Sequence, residues 1–193
     1  MAPLRMVILG RQGAGKGTQS QRLAAEFGCV HLSTGDALRA AVAAGTELGR
    51  QAKSIMDSGG LVGDDVMNGI VSERLADGDV SVDGVLLDGY PRTVEQADAL
   101  QAILESLGQS LDAAVNIEVP VEEATQRMLE RGRSDDTGEA IRRRLQLYER
   151  QTAPLLDWFD KRSLLVTVDG VGTPDEVFDR LVSGIESTSA GRL

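Results

Sequence analysis

Near its start the chain reads G-R-Q-G-A-G-K-G-T from Gly10 to Thr18, directly after the apolar run Met6 to Leu9. Glycines at 10, 13, 15 and 17 permit the backbone of a tight turn and leave amide N–H groups able to close on anionic oxygens. The stretch that follows, Gln19 to Phe27, has a helical pattern, so the loop feeds a helix N-terminus whose partial positive charge favours phosphate. Lys16 adds a full charge. The spacing G-x-x-x-x-G-K-[ST] is met by Gly10, Gly15 and Lys16, but Gly17 stands where the hydroxyl is expected and Thr18 supplies it one residue later. An ordinary glycine-rich turn has no need of strand, loop, lysine and helix in that order.

Further along, Asp88 ends the apolar run Val85 to Leu87 and is followed by Gly89, Tyr90, Pro91 and Arg92. A carboxylate at a strand end is where a phosphate-loop protein directs magnesium; an aspartate before glycine is also an ordinary turn. Gln96 lies three residues after Thr93, a capping-box spacing that accounts for it without any ligand. Arg127 and Arg131 share a helical face, yet Glu123 and Glu130 can pair with Arg127 as a plain solvated surface. Arg133 stands in a short polar loop, and of Arg142, Arg143 and Arg144 at most one or two can face a common site. One loop for phosphates and several arginines beyond it imply two phosphate sites facing each other, the layout of a phosphotransferase. An acceptor that is itself a phosphate monoester is ionised at neutral pH, so no general base is required. The lone histidine, His31, is read as structural.

These residues need a frame that brings them together. Met6 to Leu9, Cys29 to Leu32, Val85 to Leu87, Ala113 to Val119 and Leu164 to Val168 read as five buried strands alternating with helices, which predicts an α/β fold with a parallel sheet covered on both faces. Ligands then sit above the C-terminal ends of the strands, where the candidates fall. Helices are expected at Asp36 to Ala44, Thr46 to Ser58, Asp64 to Ala76, Thr93 to Leu107 and Val121 to Arg131, and a last one is opened by the capping box at Thr173 and Glu176. Helices without an intervening strand make 33–63 a flap that projects from the sheet. The core is expected at 1–32, 64–131 and 139–187, a short loop at 132–138, and a disordered tail at 188–193.

The 193 residues suffice for a single domain with one substantial core. A net charge of −10 argues against nucleic acid or an anionic membrane as partner, so any basic site must be local. Seventeen of the twenty basic residues are arginine, whose planar fork suits phosphate oxygens, although compositional bias accounts for the excess equally well. With one cysteine, Cys29, there is no internal disulfide and no multi-cysteine zinc site. Met1 to Arg5 is too short for a signal peptide and no apolar run approaches membrane-spanning length, so a cytoplasmic protein is expected.

The chain resembles the adenylate kinases of the nucleoside monophosphate kinase family, in their short-lid form, from Arg5 to about Leu181. The phosphate loop matches with Gln12 where the family usually has proline; L-S-T-G-D-A-L-R (Leu32 to Arg39) matches its AMP-side motif; L-D-G-Y-P-R-T-V-E-Q (Leu87 to Gln96) matches L-D-G-F-P-R-T-x-x-Q with tyrosine for phenylalanine. The resemblance implies a P-loop nucleotide-binding fold with an NMP-binding flap at 33–63 and a lid at 132–138. It implies ATP held by Gly13, Ala14, Gly15, Lys16, Gly17, Thr18, Arg127, Arg131 and Gly172. AMP is implied at Thr34, Arg39, Gly60, Leu61, Val62, Gly89, Tyr90, Pro91, Arg92 and Gln96, with Arg133 and Arg144 clamping the transferred phosphate. Lys16, Arg92, Arg127, Arg133 and Arg144 would be catalytic, and Asp88 would orient Mg2+ through water. The large lid and its metal are absent from the short form, so no structural zinc is implied. The expected activity is Mg-dependent, reversible transfer from ATP to AMP giving two ADP, in a monomer. A UMP/CMP kinase shares the architecture, but Thr34 and Gln96 favour adenine, and an ATPase switch would leave Thr34, Arg39 and Arg92 without a role.

Overall fold

The computed structural model describes residues 3–58, 60–133 and 136–190. Gly59, Ser134, Asp135 and both chain ends, on which parts of the expected flap, lid and tail fall, lie outside the described residues. Five strands, β1 (Leu4–Leu9), β2 (Val30–Ser33), β3 (Gly84–Asp88), β4 (Ala113–Glu118) and β5 (Leu165–Asp169), form one parallel sheet in the order β2-β3-β1-β4-β5. This is the α/β architecture expected from the sequence. The central strands are continuous apolar runs because helices cover both faces, whereas the edge strands β2 and β5 are only partly buried.

Residue alternation along β1 divides the core in two. Met6 and Ile8 point to the face covered by α1 (Lys16–Phe27) and α10 (Pro174–Ala190), packing with Leu23, Leu181 and Ile185. Val7 and Leu9 point to the opposite face, under α6 (Val94–Ser106) and α9 (Pro154–Asp160), with Leu100, Leu104 and Phe159. The chain therefore leaves β1 towards one face and the adjacent strand β3 towards the other. That divergence opens a crevice above the carboxyl ends of the two strands.

Between β2 and β3 run four helices, α2 (Thr34–Ala43), α3 (Glu47–Asp57), α4 (Asp64–Leu75) and the short α5 (Gly78–Asp83). After β4 come α7 (Val121–Arg131), α8 (Gly138–Leu147) and a π-helical turn, Tyr148–Thr152, that leads into α9. Neither α5 nor α9 has a counterpart in the sequence expectation. Two boundaries move for local reasons. Helix α1 starts at Lys16, not Gln19, because Gly15 in the left-handed conformation (φ 94°) closes the loop at once. Strand β2 starts one residue late because the Cys29 N–H still caps α1, donating to Ala24 O at 3.0 Å.

The tail expectation needs correction, since α10 runs on to Ala190 instead of giving way to disorder at 188. The Ser187 and Thr188 hydroxyls donate to the carbonyls of Ser183 and Gly184, four residues back, so polar composition is absorbed by the helix itself. Its start is the expected capping box, with Thr173 N–H donating to Glu176 Oε2 (2.8 Å) and Glu176 N–H to Thr173 Oγ1 (3.3 Å). Cys29 and Trp158 belong to the packing. Burial pushes the Cys29 thiol up to about 11, and Trp158 donates Nε1–H to Asp98 Oδ1 at 2.9 Å. Among the described residues no helix is long and apolar enough to cross a membrane.

Gly84 opens the strand that carries Asp88; its φ is +84° and a Cβ there would stand 2.2 Å from Leu4 O, which leaves no room for a side chain. Gly84→Ala should therefore destabilise the fold by about 2 to 4 kcal/mol in urea unfolding. A loss of under about 0.5 kcal/mol, the range of an ordinary surface change, would mean that β1 and β3 part easily at this end.

Candidate functional site

The crevice is a cleft of about 590 Å³ lined by residues from the phosphate loop, α2, the loop before α4, the end of β3, α7 and α8. Among the described residues seven basic side chains (Lys16, Arg39, Arg92, Arg127, Arg131, Arg133 and Arg144) line it with two carboxylates, Asp36 and Asp88. In a chain of net charge −10 this is a local reversal of sign. It suits a ligand carrying several negative charges.

The phosphate loop is shaped by close approach. Gly10 and Gly13 have positive φ, and a Cβ on Gly13 would stand 2.2 Å from Ala124 O of α7. Gly15, Gly17 and Thr18 line the cleft at the start of α1, whose N-terminus has no side-chain cap. Lys16 is half-buried, with its ammonium turned inward onto Gly10 O (2.7 Å) and Arg11 O (3.0 Å). Burial lowers its pKa to about 8; Asp88 works the other way, and Arg92, Arg131 and Arg133 add to the lowering. Arg11 anchors the loop from outside, paired with Glu149 at 2.5 Å and set over the Tyr148 ring.

Across the cleft, Asp88 is 8% exposed, with Oδ2 3.7 Å from His31 Nε2. That separation is too long for a hydrogen bond, so the contact is electrostatic. Burial acts to raise the Asp88 pKa, but His31, Lys16 and Arg92 outweigh it and hold the carboxyl below its ordinary value. An ionised carboxylate lining the same cleft as Thr18 fits magnesium, which takes few protein oxygens and completes its shell with water and phosphate. Among the described residues no group of three or more His, Cys, Asp or Glu could hold a metal without such help.

On the other side the loop after β3 carries Gly89, Pro91 and Arg92 into the cleft, where they meet Thr34, Arg39, Gly60, Leu61 and Val62. Thr34 Oγ1 donates to Asp88 O at 3.3 Å, and Arg39 pairs with Asp36. Arg92 Nε donates to Gly89 O at 2.8 Å. Burial works against the Arg92 charge; Asp88 supports it, Arg144 and Arg39 oppose it, and its pKa lies below the ordinary guanidinium value. Gln96 forms half of the expected capping box. Its N–H donates to Thr93 Oγ1 at 3.1 Å, but its side-chain Oε1 accepts from Arg92 N–H (2.8 Å), while its Nε2 donates to Asp64 Oδ1 (2.6 Å).

Of its two expected partners Arg127 takes Glu123, with Nε on Oε1 at 2.7 Å, and turns its terminal nitrogens to Gly170 O at 3.2 and 3.3 Å, while Glu130 accepts from Gln126 Nε2. Arg131 and Arg144 converge on Asp136, whose side chain is fully shielded. Arg131 grips it with two bonds of 2.9 Å and Arg144 adds a third of 2.9 Å. The Arg133 N–H donates to the same carboxylate at 3.3 Å. Arg144 also reaches Met56 O at the end of α3, 3.2 Å away, so α8 and α3 touch across the cleft.

Three expected site residues do not line the cleft. Ala14 is 2% exposed and packs under the loop, and its N–H is taken by Arg11 O. Tyr90 is 1% exposed, with its hydroxyl donating to Asn68 Oδ1 at 2.6 Å instead of facing the cleft. Gly172 (φ +126°) lies against Glu176 of α10. Conversely, Asp64, Asp136, Met56, Tyr148 and Thr152 have places at or behind the cleft that no motif announced. Thr152 Oγ1 donates to Arg92 O at 2.9 Å. Asp136 is one of two adjacent acids, with Asp135, among arginines, a pattern that points to ion pairing without choosing between them; the π-helical turn carrying Thr152 leaves no comparable mark.

A family model described as adenylate kinase matches residues 8–164. An adenylate kinase of Stenotrophomonas maltophilia (strain K279a) is 49% identical over 188 residues, covering 95% of this chain and 100% of its own length. One from Mycobacteroides abscessus (strain ATCC 19977) is 51% identical over 177 residues, or 92% of this chain and 96% of the relative. One from Nocardia farcinica (strain IFM 10152) is 48% identical over 182 residues, with 94% and 99% covered.

The Lys16 charge has a consequence for stability. Folded, the amine holds its proton less tightly than the ordinary value of 10.5, so its charge opposes folding fully below about pH 8. The opposition fades as pH climbs from about 8 to 10.5, where the unfolded chain also gives up the proton. Without nucleotide, Lys16→Met should therefore raise Tm at pH 7, with a gain that shrinks over that interval. A melt unchanged or lower at pH 7 would mean that Gly10 O and Arg11 O compensate the buried charge in full.

Proposed function

We infer, for a chain that belongs to the adenylate kinase family, that the two sides of its cleft hold the two nucleotides of an ATP:AMP phosphotransferase producing two ADP. The observation that carries this reading is the set of seven cations lining one cleft that has the phosphate loop with Lys16 on one side and the loop after β3 with Arg92 on the other. ATP takes the side of Gly13, Gly15, Lys16, Gly17 and Thr18, with Arg127 and Arg131 at its phosphates. AMP takes the side of Thr34, Arg39, Gly60, Leu61, Val62, Gly89, Pro91, Arg92 and Gln96. No ligand contact is assigned to Ala14, Tyr90 or Gly172.

The acceptor oxygen belongs to a phosphate already ionised at neutral pH, so it attacks the terminal phosphorus without a base. The bond from that phosphorus to the oxygen shared with the neighbouring phosphate breaks, and ADP leaves on the donor side. Lys16, Arg92, Arg127, Arg133 and Arg144 align the two phosphates and take up negative charge as it moves. A magnesium ion directed by Asp88 through water, with Thr18 nearby, would neutralise donor phosphate charge. The contact between α8 and α3 supports closure of a lid at 132–138 on a flap at 33–63, which shuts out water that would otherwise hydrolyse ATP.

The protein works as a monomer, since one chain supplies every group named, and it acts in the cytoplasm on free nucleotides. Its acid balance keeps nucleic acid and anionic membranes away from the surface outside the cleft.

Product analysis with ATP and each of AMP, CMP, UMP and GMP, with and without magnesium, tests the reading. ADP should accumulate only with AMP and magnesium; CDP or UDP would move the acceptor side to pyrimidines, and free phosphate with no acceptor consumed would remove it. Arg92→Ala should lower kcat/KM for AMP by about 100-fold with KM for ATP nearly unchanged, the loss expected of a buried charged contact. Arg133→Ala should lower kcat by about 10³ and ATP affinity far less, and the reverse ranking would make it a binding group only.

A further inference from the structure

Gln96 is held in one sense only. A carboxylate accepts and never donates, and a backbone N–H donates and never accepts, so Asp64 Oδ1 at 2.6 Å marks the Gln96 nitrogen and Arg92 N–H at 2.8 Å marks its oxygen. Turning the amide over would set two donors against each other at Arg92 and two acceptors at Asp64. Gln96 is 2% exposed and lines the cleft, and after these two bonds its amide has one N–H and one lone pair left to offer.

We propose that Asp64 is the positioning residue for base choice at the acceptor site, and that by fixing the Gln96 amide it selects bases carrying an amino group beside a bare ring nitrogen. The proposal rests on the reading that Gln96 meets the acceptor base. Adenine donates from N6 and accepts at N1, the complement of an amide oxygen and N–H held side by side. Hypoxanthine and guanine present the reverse, an oxo acceptor beside a ring N–H, and each would set like against like on a locked amide. Asp64 is not among the residues lining the cleft; its side chain meets the site through Gln96, 32 residues away in sequence. A glutamine in the same place with only the Arg92 anchor would be held against turning by one bond instead of two and would discriminate less between the patterns.

The experiment is the ratio of kcat/KM for AMP to that for IMP, measured with ATP and magnesium on the full chain and on variants, each checked by thermal melt. Asp64→Ala should reduce the ratio by about tenfold or more, mainly through KM. Asp64→Asn, whose Oδ1 still accepts from Gln96, should restore most of it. Asp64→Ser suits the first turn of α4 but is too short to reach Gln96, and it should behave as Asp64→Ala does; it decides the matter if Asp64→Ala does not fold. A role confined to starting α4 would lower Tm in these variants and leave the ratio within about twofold, which would overturn the proposal. Gln96→Ala separates the premise from the inference. If it leaves the ratio unchanged, the base does not meet Gln96 and both fall; if it collapses the ratio while Asp64→Ala and Asp64→Ser do not, only the role of Asp64 falls.

Discussion

Cations gathered without their anion repel one another, and containing that repulsion shapes most of the structure around the cleft. At an effective dielectric of about 20, two like charges ~8 Å apart oppose each other by about 2 kcal/mol, and the cleft collects several such pairs. Two buried carboxylates offset them from opposite ends. Asp88 lies between Lys16 and Arg92, and Asp136 gathers Arg131 and Arg144. Burial first, and the neighbouring cations second, lower the pKa of Lys16 and Arg92, which both line the cleft. A polyanionic ligand is the natural completion, and its binding relieves a strain that packing alone leaves in place.

The same containment explains why the backbone is so closely specified. The loop around Lys16 curls tightly enough for its own carbonyls to hold the ammonium, which requires Gly13 to pass beneath Ala124 O with no Cβ at all. Arg11 then secures the outside of the loop on Glu149 and Tyr148, and Thr152 secures the loop of Arg92. One short π-helical turn thus braces both halves of the cleft. Rigid support of this kind keeps the two phosphate positions in register, which is where positional catalysis is most sensitive.

Legibility in the sequence followed the range of the interactions. Strands β1, β3 and β4 are apolar runs buried on both sides and could be read directly, and the phosphate loop and the segment around Arg92 have local spacings that carry their meaning. Features decided through space could not be read. Tyr90 stands within a site motif yet finds Asn68 as partner and turns into the core. Asp64 and Asp136 look like surface acids until their partners arrive from other elements. Helix α9 follows a π-helical turn with no glycine to announce it, and α10 absorbs serines and threonines that read as a loose tail.

Cys29 lies buried with a thiol pKa near 11, so hardly any thiolate exists at neutral pH and peroxide or alkylating reagents find no sulfur to attack there. Among the described residues the sulfurs that line the cleft are the thioethers of Met56 and Met67. Met67 is buried, so oxidative damage at the cleft would begin as a sulfoxide on the partly exposed Met56, adding a polar oxygen to an apolar side chain. Such a lesion is reversible by enzymatic reduction, so catalysis lost in this way can be recovered without making new protein.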